Sequence, residues 1–464
     1  MADVVSAVAA AAAIEDLRMK NNGKISISTA LAAATCTLLG TAALQPVQAQ
    51  EEPGWDFNTS LLYYGEGDDR IQDLSLKTLS RRTFVDDRIL SLGLTIDALT
   101  GATPNGALPQ SFPQTFTKPS GKNTFTTPPG EFPIDDSFRD TRVAISADWE
   151  QPLGRLYAMN VGVSASAEFD YLHLGLNAKL SRDFNNRNTT LSGGFAFASD
   201  QLDPVGGVPD PLTPMRIVRD DDDDDDNGNS GRSGNETKEI LDLVLGITQV
   251  MSRNFLMQFN YSYSDSSGYL NDPYKILTSV DPITGEAVPV LQIPGTEGPS
   301  HLNYYENRPD SRVKHSLYTQ GKYYMDGKVL DASYRYMTDD WEIDSHTIDM
   351  RLRWPIGDRT YLEPHLRFYT QTAAEFYRIS LVDDGQPLPE YASADYRLGD
   401  FDAITAGLKF GWKTGGGNDM SVRLELYSQS GNVSSSQLIG SQADQDVYPD
   451  MDAIIFQYSY QFGK

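Results

Sequence analysis

The sequence predicts an all-β fold: a single transmembrane antiparallel β-barrel of about sixteen strands, with short periplasmic turns and long extracellular loops. Two observations carry most of that reading. The last strand is Met451-Asp-Ala-Ile-Ile-Phe-Gln-Tyr-Ser-Tyr-Gln-Phe462, with Ile454, Phe456, Tyr458, Tyr460 and Phe462 on one face and Gln457, Ser459 and Gln461 on the other. Period-two alternation of this kind gives one face to lipid and the other to a polar lumen. The second observation is that the connections sort by parity. Tight turns follow the even strands, at Phe84-Val-Asp-Asp87, Gln151-Pro-Leu-Gly154, Asp183-Phe-Asn-Asn186, Ser252-Arg253, Asp326-Gly327, Pro355-Ile-Gly-Asp358 and Thr414-Gly-Gly-Gly417. Every long connection follows an odd strand: 100–137, 200–238, 268–312, 372–401 and 431–450. A soluble sheet has no reason to sort its loops this way, whereas an even-stranded barrel with both termini on one side does.

The N-terminus adds export. Lys20 and Lys24 precede an apolar stretch over 25–44, and Val47-Gln48-Ala49 supplies the small residues that signal peptidase requires. The expected organisation is therefore a signal peptide over 1–49, with 1–18 either an upstream extension before Met19 or a long n-region, and an outer-membrane barrel over 50–464. The terminal aromatics resemble the C-terminal signal of outer-membrane barrels, although Gly463 and Lys464 run past the usual last aromatic.

Composition narrows the class. Beyond the signal no run of 18 apolar residues occurs, and a mean hydropathy of -0.41 is unsuited to a helical bundle in lipid. The one cysteine, Cys36, lies inside the signal, which leaves the mature chain no disulfide or thiolate metal site. The net charge of -26 survives cleavage, because Arg18, Lys20 and Lys24 balance Asp3, Glu15 and Asp16, and such acidity argues against nucleic acid as a partner.

Strands are expected to begin near Gly54, Ile71, Arg88, Phe138, Leu156, Leu172, Asn188 and Glu239 in the first half. In the second half they begin near Asn254, Val313, Val329, Thr347, Thr360, Asp402, Met420 and Met451. The clearest outward faces are Tyr157, Met159, Val161 and Val163; Phe255, Met257, Phe259, Tyr261 and Tyr263; and Ile404, Ala406, Leu408, Phe410 and Trp412. The Pro- and Thr-rich loop 100–137 reads as irregular and extended. The aspartate run 220–226 reads as a hydrated acidic tip, since it lacks the alternate-residue spacing and closing Glu of a calcium loop.

Several motifs in order resemble the bacterial family known as domain of unknown function 3570. They are Leu99-Thr-Gly-Ala-Thr-Pro-Asn-Gly106, Asp272-Pro-Tyr-Lys-Ile-Leu277, Glu306-Asn-Arg-Pro-Asp-Ser-Arg312, Tyr334-Arg-Tyr-Met-Thr-Asp-Asp-Trp341, Glu363-Pro-His-Leu-Arg-Phe-Tyr369 and Tyr391-Ala-Ser-Ala-Asp-Tyr-Arg-Leu-Gly399. The resemblance implies an outer-membrane protein and brings no catalytic residues. Through the company its members keep, it implies a periplasmic lipoprotein or redox partner.

With the apolar parity given to lipid, the other parity lists the lumen from the eleventh to the fifteenth strand: Asp331, Arg335, Asp349, Arg351, Arg353, Glu363, His365, Arg367, Lys409, Arg423 and Glu425. Such a wall serves either as an anion path along a wet pore or as salt-bridged bracing. The width of about sixteen strands, and the lack of a folded N-terminal plug, favour an open lumen. Three function classes follow: porin-like passage of small solutes or ions, a non-conducting binding or scaffold barrel, and an outer-membrane hydrolase. Passage is preferred. No enzyme, cofactor or metal is expected, because His301, His315, His346 and His365 lie in no spacing that marks a nucleophile or a metal site, and Asp344, Ser345 and His346 alternate faces on one strand. The expected partners are outer-membrane lipid and the barrel-assembly machinery.

Overall fold

The computed structural model describes residues 53–463 except 68–69, 119–122, 136–138, 205, 216–217, 220–231 and 292–295. The signal peptide and the 220–226 run lie outside the described residues. Sixteen strands close into one barrel. They are β1 Gly54–Glu66, β2 Gln72–Thr83, β3 Ile89–Thr100, β4 Arg139–Leu153, β5 Tyr157–Ala167, β6 Tyr171–Phe184, β7 Thr189–Leu202 and β8 Glu236–Ser252. The second half holds β9 Phe255–Gly268, β10 Ser311–Met325, β11 Lys328–Asp339, β12 Asp344–Pro355, β13 Thr360–Gln371, β14 Phe401–Lys413, β15 Asp419–Gly431 and β16 Met451–Gly463. β1 closes antiparallel on β16, with Tyr63 opposite Phe456 and Thr59 opposite Tyr460. Each start read from alternation falls within three residues of an observed one, the widest offsets being Glu239 against Glu236 and Thr347 against Asp344.

Local chemistry explains the strands. On β2, Leu74 and Leu76 point outward, 49% and 42% exposed, while Asp73, Lys77 and Arg81 are buried inside. An apolar exterior around a polar interior is the inverse of a soluble barrel and is the surface that lipid covers. Aromatic girdles bound the band. At the short-turn end Trp55 stacks on Phe57 and Phe57 on Phe462, and Arg82 and Arg182 lie over Phe84 and Phe184. Long cationic side chains that cover aromatic faces at an interface keep their charged heads in water. At the other end His315 packs between Tyr261 and Tyr263, and His346 between Tyr334 and Tyr336.

The long loops depart from expectation. The described residues of 101–135 are not simply irregular and extended: a hairpin pairs Gln114–Thr117 with Thr124–Thr127, and Ala107, Leu108 and Phe116 are buried. The strand Ile276–Val280 pairs with Asn303–Tyr305 in its own loop and with Leu381–Val382 from the loop after β13. Loops rooted on β3, β9 and β13 sit far apart on a ring of sixteen strands. They touch one another only by reaching over the mouth, and together they form a cap there.

Candidate functional site

The inner wall is a grid set by strand register. One row runs Asp331, Arg351, His365, Gly407, Glu425, and the row beside it toward the short turns pairs Glu363 with Lys409 and Lys409 with Arg423. Toward the long loops, Asp349 faces Arg367. Every charged residue read from parity as facing the lumen, Arg335 and Arg353 included, lies on the inward side. His365 joins three strands: its Nε2 is 2.9 Å from Asp349 Oδ2 and its Nδ1 is 2.8 Å from Glu425 Oε1. Glu425 reaches His365 across β14 because Gly407 stands between them, where a Cβ would lie 2.5 Å from Glu425 Cγ. Arg351 Nη2 is 3.5 Å from Asp349 Oδ2, and Arg423 Nη1 is 3.8 Å from Glu425 Oε1. Glu363 and Glu425 are 2% exposed, and Arg351, Lys409 and Arg423 are 4% exposed. The charges are thus held by one another more than by open water, which is the bracing geometry.

Above the wall, four of the family-like motifs meet in a buried ionic knot. Arg308 Nη2 donates to Asp395 Oδ2 at 2.8 Å, and its Nε is 2.7 Å from Glu306. Arg397 Nη2 donates to Asp272 Oδ2 at 2.7 Å, and its Nε donates to Asp395 Oδ1 at 2.8 Å. Glu306 also accepts from the Asp272 amide at 2.5 Å and from the Ser393 hydroxyl. Lys275, 1% exposed, donates to Thr103 Oγ1 and to the Pro104 carbonyl, which ties in the loop after β3. Three cations face three carboxylates. Burial alone would raise Asp395, but Arg397, Lys275 and Arg308 hold its carboxyl well below the ordinary range. Below the knot, Tyr396 and Tyr448 pack on inward apolar residues Leu62, Tyr64, Tyr427 and Ile455 of the wall. Tyr448 also donates to the Tyr396 carbonyl at 3.0 Å.

Burial pushes the Lys275 ammonium down to about 8, against the pull of Asp395. The unfolded loop keeps its proton up to about 10.4, so between these values the open form binds more protons and stability rises with pH. The gain is complete above the unfolded value and is lost as pH falls through about 8. Limited proteolysis of the loops should therefore slow between about pH 8 and pH 10 in the native protein, and Lys275→Met should abolish that dependence.

A third cluster was not singled out from sequence. On adjacent strands β5, β6 and β7, Ser164 Oγ lies 3.4 Å from His173 Nε2, and His173 Nδ1 lies 2.6 Å from Asp200 Oδ1. Lys238 Nζ is 3.1 Å from Asp200 Oδ2, and the Tyr171 hydroxyl donates to the same oxygen. The signal was available in principle, since all three residues lie on the inward parity near the long-loop ends of consecutive strands. Only the register, with His173 opposite both Ser166 and Asp200, brings them together.

The other histidines are dispersed. His315 and His346 face outward, with their Nδ1 atoms 2.8 Å from Tyr261 and Tyr334 hydroxyls, and His301 stacks on Phe112 in the cap. Ser345 points inward, away from His346. Asp140, Glu168 and Asp170, all half-buried, gather at the long-loop rim with ligand atoms within 4.8 Å of one another.

No curated protein matches the chain. Similar solved structures include the ferric enterobactin receptor PfeA of Pseudomonas aeruginosa, 10% identical, with a TM-score of 0.39 over 81% of this chain and 53% of that one. They also include a bacterial polysaccharide outer membrane secretin, 8% identical, with a TM-score of 0.40 over 88% and 97% of the two chains. The outer membrane protein OpdK of Pseudomonas aeruginosa is 9% identical, with a TM-score of 0.35 over 89% and 100%. The chain spans about half the length of the receptor structure. A family model described as protein of unknown function, DUF3570, matches residues 28–462, and the chain belongs to that family.

Proposed function

We propose that the protein resides in the bacterial outer membrane, short turns in the periplasm and long loops outside, and works as a loop-capped binding or scaffold barrel rather than as a diffusion pore. The observation that carries this reading is the buried knot of Arg308, Arg397 and Lys275 with Asp272, Glu306 and Asp395 over the mouth. A general pore gains nothing from desolvating six charged groups across its opening, whereas a closed mouth with a fixed outer surface requires such cross-links. The charged wall beneath then braces the barrel and presents a polar cup toward the periplasm, because turns as short as Asp326-Gly327 cannot span that mouth. A periplasmic lipoprotein or redox protein, the partner suggested by the family resemblance, would dock at this open end.

Planar-bilayer recording tests the reading. The native barrel should show no steady conductance, and a steady open level would restore porin-like passage as the preferred function. Orientation is checked in a Cys36→Ser chain on intact cells. Asp384→Cys, in an exposed turn of the loop after β13, should react with an impermeant maleimide, and Gly416→Cys should not.

A further inference from the structure

We propose that Ser164, His173 and Asp200 form an acyl-transfer site in the barrel wall that hydrolyses small carboxylic esters. The argument starts from hydrogen-bond roles. A carboxylate only accepts, so the 2.6 Å contact to Asp200 places the proton on His173 Nδ1 and leaves the Nε2 lone pair facing Ser164 Oγ. That is the tautomer a general base needs, and the 3.4 Å separation is of the loose kind seen before substrate binds. Asp200, 1% exposed, is held by Lys238 and Tyr171, and His173 is 3% exposed, whereas Ser164 is only half-buried and meets the lumen. A nucleophile at the surface backed by a buried base and a buried orienting carboxylate is an arrangement that simple wall bracing does not need.

The surroundings fit the same purpose. Gly175 is the residue opposite Ser164, and a Cβ there would lie 2.5 Å from Ser164 Oγ and 3.0 Å from His173 Nε2. Any side chain at that position would wedge the pair apart. Gly175 and Ala198, opposite one another, bring little side-chain bulk beside the hydroxyl, and the Asn177 amide, which fills the space over Gly162 together with Asp148, lies in the next inward row as a donor for a developing oxyanion. Walls this small take an acyl group of a few carbons.

In the reaction, Ser164 Oγ bonds to the ester carbonyl carbon while its proton passes to His173 Nε2. The tetrahedral intermediate collapses, the bond to the alcohol oxygen breaks, and the alcohol leaves with the proton from His173. Water then attacks the acyl-serine, giving its proton to His173, and the carboxylic acid departs as Ser164 regains its hydrogen. Ser164 and His173 are the catalytic residues. Asp200 acts through His173 as a positioning residue.

The test uses the full refolded barrel in detergent, where both mouths meet solvent, so that a failure of the capped reading does not silence it. A small fluorophosphonate should add its mass to the peptide that carries Ser164, and p-nitrophenyl acetate should be hydrolysed. Ser164→Ala should abolish both, and His173→Gln should slow labelling by about 100-fold or more. Asp200→Asn should slow labelling and move its pH profile, which a purely structural change would not do. Each variant is first shown to keep the heat-modifiable gel migration of a closed barrel, and Gly175→Ala serves as a variant that keeps every catalytic group yet should lose labelling. A folded native barrel that takes no phosphonate on Ser164, or that labels equally fast with His173→Gln, overturns the proposal.

Discussion

Replacing Asp395 by Ala should turn a silent barrel into a conducting one. Asp395 accepts from both Arg308 and Arg397, and it also caps the short turn Tyr396–Leu398 by accepting from the Arg397 amide at 3.2 Å. Its loss leaves two mostly buried guanidinium groups with one carboxylate each, and breaking a buried pair from one side costs about 3–5 kcal/mol. The cap carries that loss alone, because the strand ladders beneath it do not use Asp395. Channel openings in bilayers, together with faster trypsin cleavage after Arg397, are the expected readout. A variant that stays silent and protease-resistant would show that the knot does not hold the mouth shut.

The second large effect is expected inside the wall. Gly407→Val should drive Glu425 off His365, since the new side chain would start 2.5 Å from Glu425 Cγ. His365 and Arg423 then lose a buried acceptor without any charge being deleted, for an expected loss of about 1–3 kcal/mol in denaturant titrations of the refolded barrel. Glu425→Ala should cost more, because it removes the carboxylate outright. The informative measurement is the double variant: if Gly407 matters through Glu425, combining the two should add little to Glu425→Ala alone, and full additivity would show that the glycine serves another purpose.

The barrel was legible because lipid and lumen impose opposite demands on alternate residues. Runs such as Tyr157, Met159, Val161 and Val163 report membrane on one side, and loop parity reports closure. The charged wall was legible for the same reason, residue by residue. What parity could not give was contact across strands: the meeting of His365 with Glu425 depends on a gap at Gly407, and that of Ser164 with His173 on a gap at Gly175. The cap was harder still. Its inward apolar residues Leu62, Tyr64, Tyr427 and Ile455 break the rule that the inner face is polar, and they do so because loop tyrosines 396 and 448 cover them. Low sequence complexity in 100–137 suggested an irregular, extended loop, while the buried segment Ala102–Thr103–Pro104 within it anchors on Lys275.

The ionic knot also sets an order of events. Its members come from the loops after β3, β9 and β13, so a chain followed from its N-terminus through ten strands holds Asp272, Lys275, Glu306 and the loop at Thr103 but still lacks Asp395 and Arg397. The apolar underside waits longer, for Tyr448 and for β16 to close on β1. Sequence separations of this size make the cap slow to form. The knot thus needs no strand beyond β13, whereas the underside of the lid is complete only where β16 has sealed the cylinder against β1.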